Sequence, residues 1–402
     1  MIIRTSGAVQ PGQDEDKMVD INKCKILHLA NIRWWNACAY YAIQLADAQR
    51  SFGHEVLVAG DPDSPPLSKA LSWGLAIDPY PRISTYFPYL YSNMKWLSRM
   101  VDNGYKLVVV HRGEAHVVAF LTKYYLEKDF TLIRVRGDVR PPRNDIYNRF
   151  LYDINYTDGV ICTTETLKQS YLETFEIDKE RITAIPAGVD SEYFGKLPDS
   201  KELRRKYMIP ENATTVTLLG RLDPVKGHDI LIRAAGGVKV NPEDVYYIIA
   251  GEECNVNIRN LKELISKHCP KSNFKFFGLV DDVRDILGIT DIAVIPSQDS
   301  EMIARTALEF MAAGKPVIAS NINALAETVD HGKGGYLVDK GNISRWADYI
   351  TELIHNPEKR CNYGSYNRDL TVENFSLHRW ASNTLDFYQQ IIELKNGPSM
   401  DG

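Results

Sequence analysis

The strongest constraint on the fold is an alternation that repeats along almost the whole chain. Short apolar runs are each followed by a longer stretch with apolar residues at helical spacing. Strand-length runs lie at residues 25–30, 55–59, 107–110, 131–135, 159–162 and 181–185, and a helical pattern covers 37–52 between the first two. Strand, helix, strand in that order reads as a β-α-β unit, and its repetition implies a parallel sheet covered on both faces. A second series follows the segment 186–205, which holds Pro186, Gly188, Gly195 and Pro198. Its strands fall at 215–219, 245–250, 274–277, 292–295 and 316–319, with helices near 229–240, 256–269, 283–287 and 303–313. Two such series predict an α/β protein of two doubly wound, Rossmann-like domains facing an interdomain cleft, where ligands bind beyond the carboxyl ends of the strands.

Length supports the division, because 402 residues exceed what one hydrophobic core usually serves and suit two domains of roughly 150–200 residues. The expected organisation is a disordered leader at 1–20 without chemistry, a first domain at 21–195, a second at 196–375, and a helix and tail at 376–402. That helix, read at 376–394 from its apolar stripe, is expected to cross back onto the first domain. With 47 Lys and Arg against 52 Asp and Glu, the net charge of −5 argues against a protein that coats polyanions, so nucleic acid is not an expected partner. No apolar run approaches the roughly 18 residues of a membrane span. Six cysteines are scattered without a close pair, which fits neither a disulfide framework nor a zinc site and makes a reducing cytoplasm the expected location.

Familiar phosphate-binding signatures are missing: no G-x-G-x-x-G follows a strand, and there is no G-x-x-x-x-G-K-[ST] or H-E-x-x-H. Asp61-Pro62-Asp63 has the carboxylate spacing of a metal site, but it sits in a Pro-rich loop and reads as a solvated turn. The most informative segment is IAVIPSQDSEMIARTALEFMAAGKPVIA at 292–319, which reads strand, loop, helix, glycine stop, strand. A helix starting around 303–306 presents free backbone N–H groups, a ready site for a diphosphate. Arg305 opposes the helix dipole there, so a bound phosphate or a nearby carboxylate must explain it. Glu301 and Glu309 either address two ends of one elongated ligand or are a helix-start carboxylate and a solvated helix residue. GRLDPVKG at 220–227 follows the first strand of the second series, and its Arg221 and Lys226 suit a diphosphate at the mouth of the cleft.

These stretches, together with AAGKPVIAS at 312–320 and IPAGVDSEYF at 185–194, run in the order found in the retaining GT-B glycosyltransferases of family GT4, which the chain resembles from about residue 25 to its last helix. The resemblance implies transfer of a sugar from a nucleotide diphosphate to a hydroxyl of a glycan or glycolipid, in cell-envelope polysaccharide or lipopolysaccharide synthesis. It implies no metal and no cofactor beyond the nucleotide-sugar co-substrate. Arg221 and Lys226 match the basic pair on the diphosphate, Glu301 the glutamate facing the donor sugar, and Glu309 the one holding the ribose. The backbone of Ala304, Arg305 and Thr306 would cradle phosphate, Gly220 would lie in the donor loop, and Gly278 and Val280 beside the base. His111, ending the strand at 107–110, resembles the histidine placed over the reaction centre, whereas His116 reads as structural.

The first domain departs from the family pattern. Asn31 to Ala37 replaces the usual Gly-Gly loop, and Trp34 and Trp35 there either stack on an acceptor sugar or pack internally. The run RVRGDVRPPR at 134–143 gathers cations near the cleft, so that Arg136, Asp138 and Arg140 either bind an acceptor bearing phosphate or carboxylate or pair among themselves. The segment 80–100, rich in Tyr, Phe and Trp with Arg82, Lys95 and Arg99, is either a peripheral contact with the cytoplasmic face of the membrane or a packed loop and helix. Two rival activities remain open: a nucleotide-sugar epimerase or hydrolase on the same fold, and a sugar-nucleotide-binding subunit without catalysis.

Overall fold

A computed structural model describes residues 21, 24–79, 83–137, 143–299 and 301–397. The first sheet contains β1 (Ile26–Leu29), β2 (Val56–Ala59), β3 (Ala76–Asp78), β4 (Leu107–Val110), β5 (Thr131–Arg136), β6 (Gly159–Cys162) and β7 (Ile182–Ala184). Their spatial order is β3-β2-β1-β4-β5-β6-β7, with every pair parallel. The second contains β8 (Thr214–Leu219), β9 (Val245–Ala250), β10 (Asn273–Phe277), β11 (Ile292–Ile295), β12 (Val317–Ser320) and β13 (Gly335–Val338). These run in the order β10-β9-β8-β11-β12-β13, again all parallel. The central strands β1, β4, β6, β11 and β12 are buried at every position, as expected where helices cover both faces. Strand order reverses beside β1 in one sheet and beside β8 in the other, and each reversal opens a crevice at the carboxyl ends.

The helix Ala37–Ser51 returns from β1, capped by Asn36, whose side chain accepts from the Ala39 amide. The last helix, Leu377–Asn396, packs against it. Trp380 lies edge-on to Tyr41 at 4.7 Å between ring centroids, and Tyr388 and Ile391 are buried in the same core. Gly188 is required at this crossing, since a Cβ there would lie 2.8 Å from the Trp380 Cβ.

Three residues of the 301–304 loop tie the lobes together. Met302 packs among Tyr152, Val160, Cys162 and Tyr171 of the first lobe, while Ile303 and Ala304 join an apolar cluster shared by both. Glu327 of the second lobe adds a clasp, its carboxylate accepting from the Glu165 amide at 2.7 Å and from the Thr166 amide and hydroxyl at 2.9 and 2.7 Å.

Candidate active site

The basic loop follows β8. Gly220 donates its amide to Ala250 at 2.8 Å, and the Asp223 side chain fixes the next turn by accepting from the Val225 amide at 3.1 Å and from Asn255 at 2.7 Å. Arg221, about half exposed, keeps its guanidinium 3.7 Å from Asp223. Gly227 has φ +71° and lies against Pro296, whose carbonyl oxygen would be 1.9 Å from any Cβ at that position. That approach carries the loop to the end of β11, where the Gln298 amide donates to the Val225 carbonyl at 2.8 Å.

Lys226 thereby reaches Glu301. The two form an ion pair, and Glu301 also accepts from the Ser297 hydroxyl at 2.7 Å. Glu301 is buried, as is Glu309, whose carboxylate accepts from Arg305 Nε at 2.7 Å. Glu309 is therefore not a solvated helix residue. It also corrects the helix start. The helix is Arg305–Ala312 with Ala304 as N-cap, so Ile303 is outside it, and the Arg305 amide donates to the Ile303 carbonyl at 2.8 Å. The 301–303 stretch is drawn into lobe-to-lobe packing instead of the first turn. Arg305 opposes the dipole because it has two local partners, Glu309 one turn on and the Tyr40 ring, 4.5 Å from the guanidinium carbon, on the facing lobe. Thr306 follows in the first turn. Gly278 lies just past β10 with open space where a Cβ would project, and Val280 is half-buried beside it.

On the first lobe, His111 follows β4 and is buried, with its amide donating to the Leu29 carbonyl at 3.2 Å. Its Nε2 lies 3.0 Å from His28 Nδ1, and the rings stack with centroids 5.3 Å apart. Burial, then the charges of His28 and Arg134, hold the His111 imidazole well below its usual pKa. His116 bonds the Thr157 hydroxyl at 2.8 Å inside the core. The tryptophans separate: Trp34 is 73% exposed at the carboxyl end of β1, whereas Trp35 packs edge-on to Trp73 at 6.1 Å. Arg136 is half-buried with its guanidinium 5.5 Å over the Tyr171 ring, and the buried Arg134 donates to the Val110 carbonyl at 3.1 Å. Both line an open cavity of about 450 Å³ with Arg112, Glu114, His116 and Tyr147. Asp138 and Arg140 lie outside the described residues, as does the 1–20 leader. Asp63 is an exposed turn residue. Among the described residues, no group of three or more His, Cys, Asp or Glu is arranged to hold a metal ion, and no helix is long and apolar enough to cross a membrane.

Sequence reasoning missed Ser297, Tyr40, Arg112 and His28. Of these only His28 carries a signal, a histidine inside the apolar strand ILHL.

Two facing doubly wound lobes, each an all-parallel sheet whose strand order reverses at its centre, define a GT-B-type fold. Residues 199–370 match the family model described as glycosyl transferases group 1, and residues 39–193 match glycosyltransferase family 4. The chain belongs to the GT4-type GT-B glycosyltransferases. Among curated proteins it is 28% identical over 263 residues to spore coat protein SA of Bacillus subtilis, covering 60% of this chain and 70% of that one. It is 27% identical over 252 residues to D-inositol 3-phosphate glycosyltransferase 2 of Catenulispora acidiphila, covering 60% and 58%. For several such relatives the chain spans little more than half of their length. In fold it is similar to a glycosyltransferase from Rickettsia africae, with a TM-score of 0.82, 23% identity and coverage of 94% and 100%. It is also similar to Anabaena Alr3699/HepE in complex with UDP, with a TM-score of 0.78, 20% identity and coverage of 90% and 99%.

Proposed function

We propose that the protein transfers a sugar from a nucleotide diphosphate to a hydroxyl of a glycan or glycolipid, with retention at the anomeric carbon and without a metal. The observation that carries this reading is the Lys226–Glu301 ion pair. In a nucleotide sugar, one bridging oxygen separates the distal phosphorus from the anomeric carbon. A cation for the phosphate and a carboxylate for the sugar must therefore be neighbours. Arg221 and Lys226 stabilise the departing diphosphate, Glu301 orients the sugar through its hydroxyls, and Glu309 holds the ribose with the oxygen that Arg305 leaves free. The backbone of Ala304 and Thr306 approaches the phosphates, and Gly220, Gly278 and Val280 border the nucleoside. His111 lies over the sugar. The acceptor attacks on the face from which the diphosphate leaves, and a phosphate oxygen takes its proton. A double displacement through Glu114 or Asp138 is the competing route; Glu114 lies beside Arg112, 3.9 Å away.

The acceptor side is the arginine-lined cavity, which suits a glycan or glycolipid bearing phosphate or carboxylate, with Arg136, Asp138 and Arg140 as its contacts and the exposed Trp34 as a face for an acceptor sugar to stack on. Relatives named for inositol 3-phosphate and for phosphatidylinositol mannoside support that class. The exposed Tyr86, Phe87, Tyr89 and Tyr91 beside Lys95 suit peripheral contact with the cytoplasmic face of a membrane. This reading puts the protein in envelope polysaccharide or lipopolysaccharide assembly.

Screening UDP-, GDP- and ADP-sugars for thermal stabilisation tests the donor site, since a ligand at a hundred times its Kd adds about 2.7 kcal/mol. Proton NMR of the product then reports the anomeric configuration, EDTA treatment the metal requirement, and flotation with anionic vesicles the membrane contact. No stabilisation by any nucleotide sugar refutes the donor site. Sugar released or isomerised at full rate without an acceptor identifies an epimerase or hydrolase instead.

A further inference from the structure

His28 sits in the middle of β1, fully buried between apolar neighbours on its strand. Its Nε2 lies 2.8 Å from Gln49 Oε1, on the helix Ala37–Ser51, and its Nδ1 lies 3.0 Å from His111 Nε2. Burial drives both rings toward the neutral form, pushing His28 down to about 4 and His111 well below its usual range. The surrounding groups agree with that. Arg134 on β5 is a cation, and burial holds the hydroxyls of Tyr41, on the Gln49 helix, and Tyr388, on the last helix beside Gln49, in their protonated form.

The direction of the chain follows from valence. A carbonyl oxygen only accepts, so His28 Nε2 carries the hydrogen and its Nδ1 carries the lone pair. His111 Nε2 must then donate to His28, which leaves His111 Nδ1 with a lone pair and no hydrogen. We propose that His28 and Gln49 are positioning residues that fix His111 in its Nε2–H tautomer, so that Nδ1 accepts a hydrogen bond from a hydroxyl of the donor sugar. The inference rests on the reading of His111 as a residue over that sugar. It separates His111 from a general acid: a neutral imidazole with its only hydrogen turned into the core cannot donate to the ligand.

The test combines a spectrum with a variant series on the full chain. Two-bond ¹⁵N–¹H correlation of histidine side chains should show His111, assigned by its loss in His111→Gln, as the Nε2–H tautomer. His28→Asn keeps an oxygen where Nδ1 was, whereas His28→Leu removes the acceptor, and Gln49→Met removes the partner that orients His28. The expected result is that His28→Asn retains the tautomer and most of the transfer rate. His28→Leu and Gln49→Met should mix the tautomers and lower kcat by about tenfold, the size of one lost hydrogen bond, with acceptor KM unchanged. A wild-type His111 in the Nδ1–H form overturns the proposal, as does His28→Leu or Gln49→Met transferring at the normal rate. A wild-type protein that shows the Nε2–H tautomer but binds no nucleotide sugar overturns the functional reading and the sugar contact together. The NMR and kinetic readouts therefore fail separately.

Discussion

Replacing Lys226 by Met separates two roles that one ion pair can play. Lys226 Nζ meets Glu301, whose side chain is only 9% exposed and also accepts from Ser297, so removing the lysine leaves a nearly buried carboxylate with one neutral partner. If the pair only stabilised the fold, the damage would be structural, and because the lysine itself is 26% exposed it should amount to about 1–2 kcal/mol after screening. If Lys226 carries the charge of a departing diphosphate, the loss falls on the transition state at about 2–4 kcal/mol, a drop in kcat of roughly a hundredfold to a thousandfold. Adding Glu301→Gln distinguishes the two. The double variant has no unmatched buried charge, so denaturant melts should return to within about 1 kcal/mol of wild type. Transfer should remain at the level of the single lysine variant or below it, because neither the phosphate cation nor the sugar carboxylate is restored. Initial rates at saturating donor, with the melts as control, give the answer. A double variant that regains most of the wild-type kcat would show that the lysine serves the carboxylate and not the ligand, and the donor assignment would fall.

Glu309→Ala removes the group assigned to the ribose and leaves Arg305 over Tyr40 without its carboxylate, so donor Kd should rise about tenfold to a hundredfold in calorimetry. Gly227→Ala places a methyl group 1.9 Å from the Pro296 oxygen at φ +71°; the loop must move, at a cost of at least about 1–3 kcal/mol, and nucleotide-sugar stabilisation should vanish while circular dichroism is retained. Acid should destabilise the first lobe. His28 is held neutral by burial at a folded pKa of about 4 against 6.5 unfolded, so its contribution is complete above pH 6.5 and is lost as pH falls toward 4. The His28 share of the loss approaches about 3 kcal/mol; His28→Asn should lack that share and keep only the acid sensitivity of His111 and His116, which burial also holds neutral, as melts across that range would report.

What the sequence made legible was whatever is encoded in one element. Buried strands such as β4, β6, β9 and β11 match the sequence reading residue for residue, since an apolar run ending in a turn has little freedom in where to stop. Glu309 falls one turn after Arg305 by spacing alone, so their pairing could be read before any coordinates. The edge strands β3 and β13 could not. In β3 Ala76 is exposed and Ile77 and Asp78 are only partly buried, and β13 is a short run beginning at Gly335, which hugs β12 so closely that a Cβ would lie 1.8 Å from the Val317 oxygen. The helix read over 229–240 ends at Ala235 because Gly236 and Gly237 break it. Tyr40 against Arg305 and His28 against His111 were beyond reach for a different reason: each is made by tertiary packing, across 265 and 83 positions respectively.

The paired charges explain how such a site stays folded before a ligand arrives. A buried carboxylate without a partner is costly, and on the proposed reading a site that presents Glu301 and Glu309 to sugar hydroxyls cannot surround them with greasy side chains. Here each carboxylate is matched by a cation from the same lobe, Lys226 for Glu301 and Arg305 for Glu309. A nucleotide sugar brings what both members lack: phosphate oxygens that accept from the cations and hydroxyls that donate to the carboxylates. Binding therefore exchanges partners and strips no charge bare, so neither lysine nor glutamate pays a second desolvation. The same logic assigns unequal salt responses. Arg221, half exposed and only 3.7 Å from Asp223, belongs to the screened part of the site, and its contribution to donor affinity should shrink between 0.05 and 0.5 M NaCl, concentrations across which the Debye length falls from about 14 to about 4 Å. The contribution of Lys226, protected beside Glu301, should change little, and equal salt sensitivity of the two alanine variants would contradict that division.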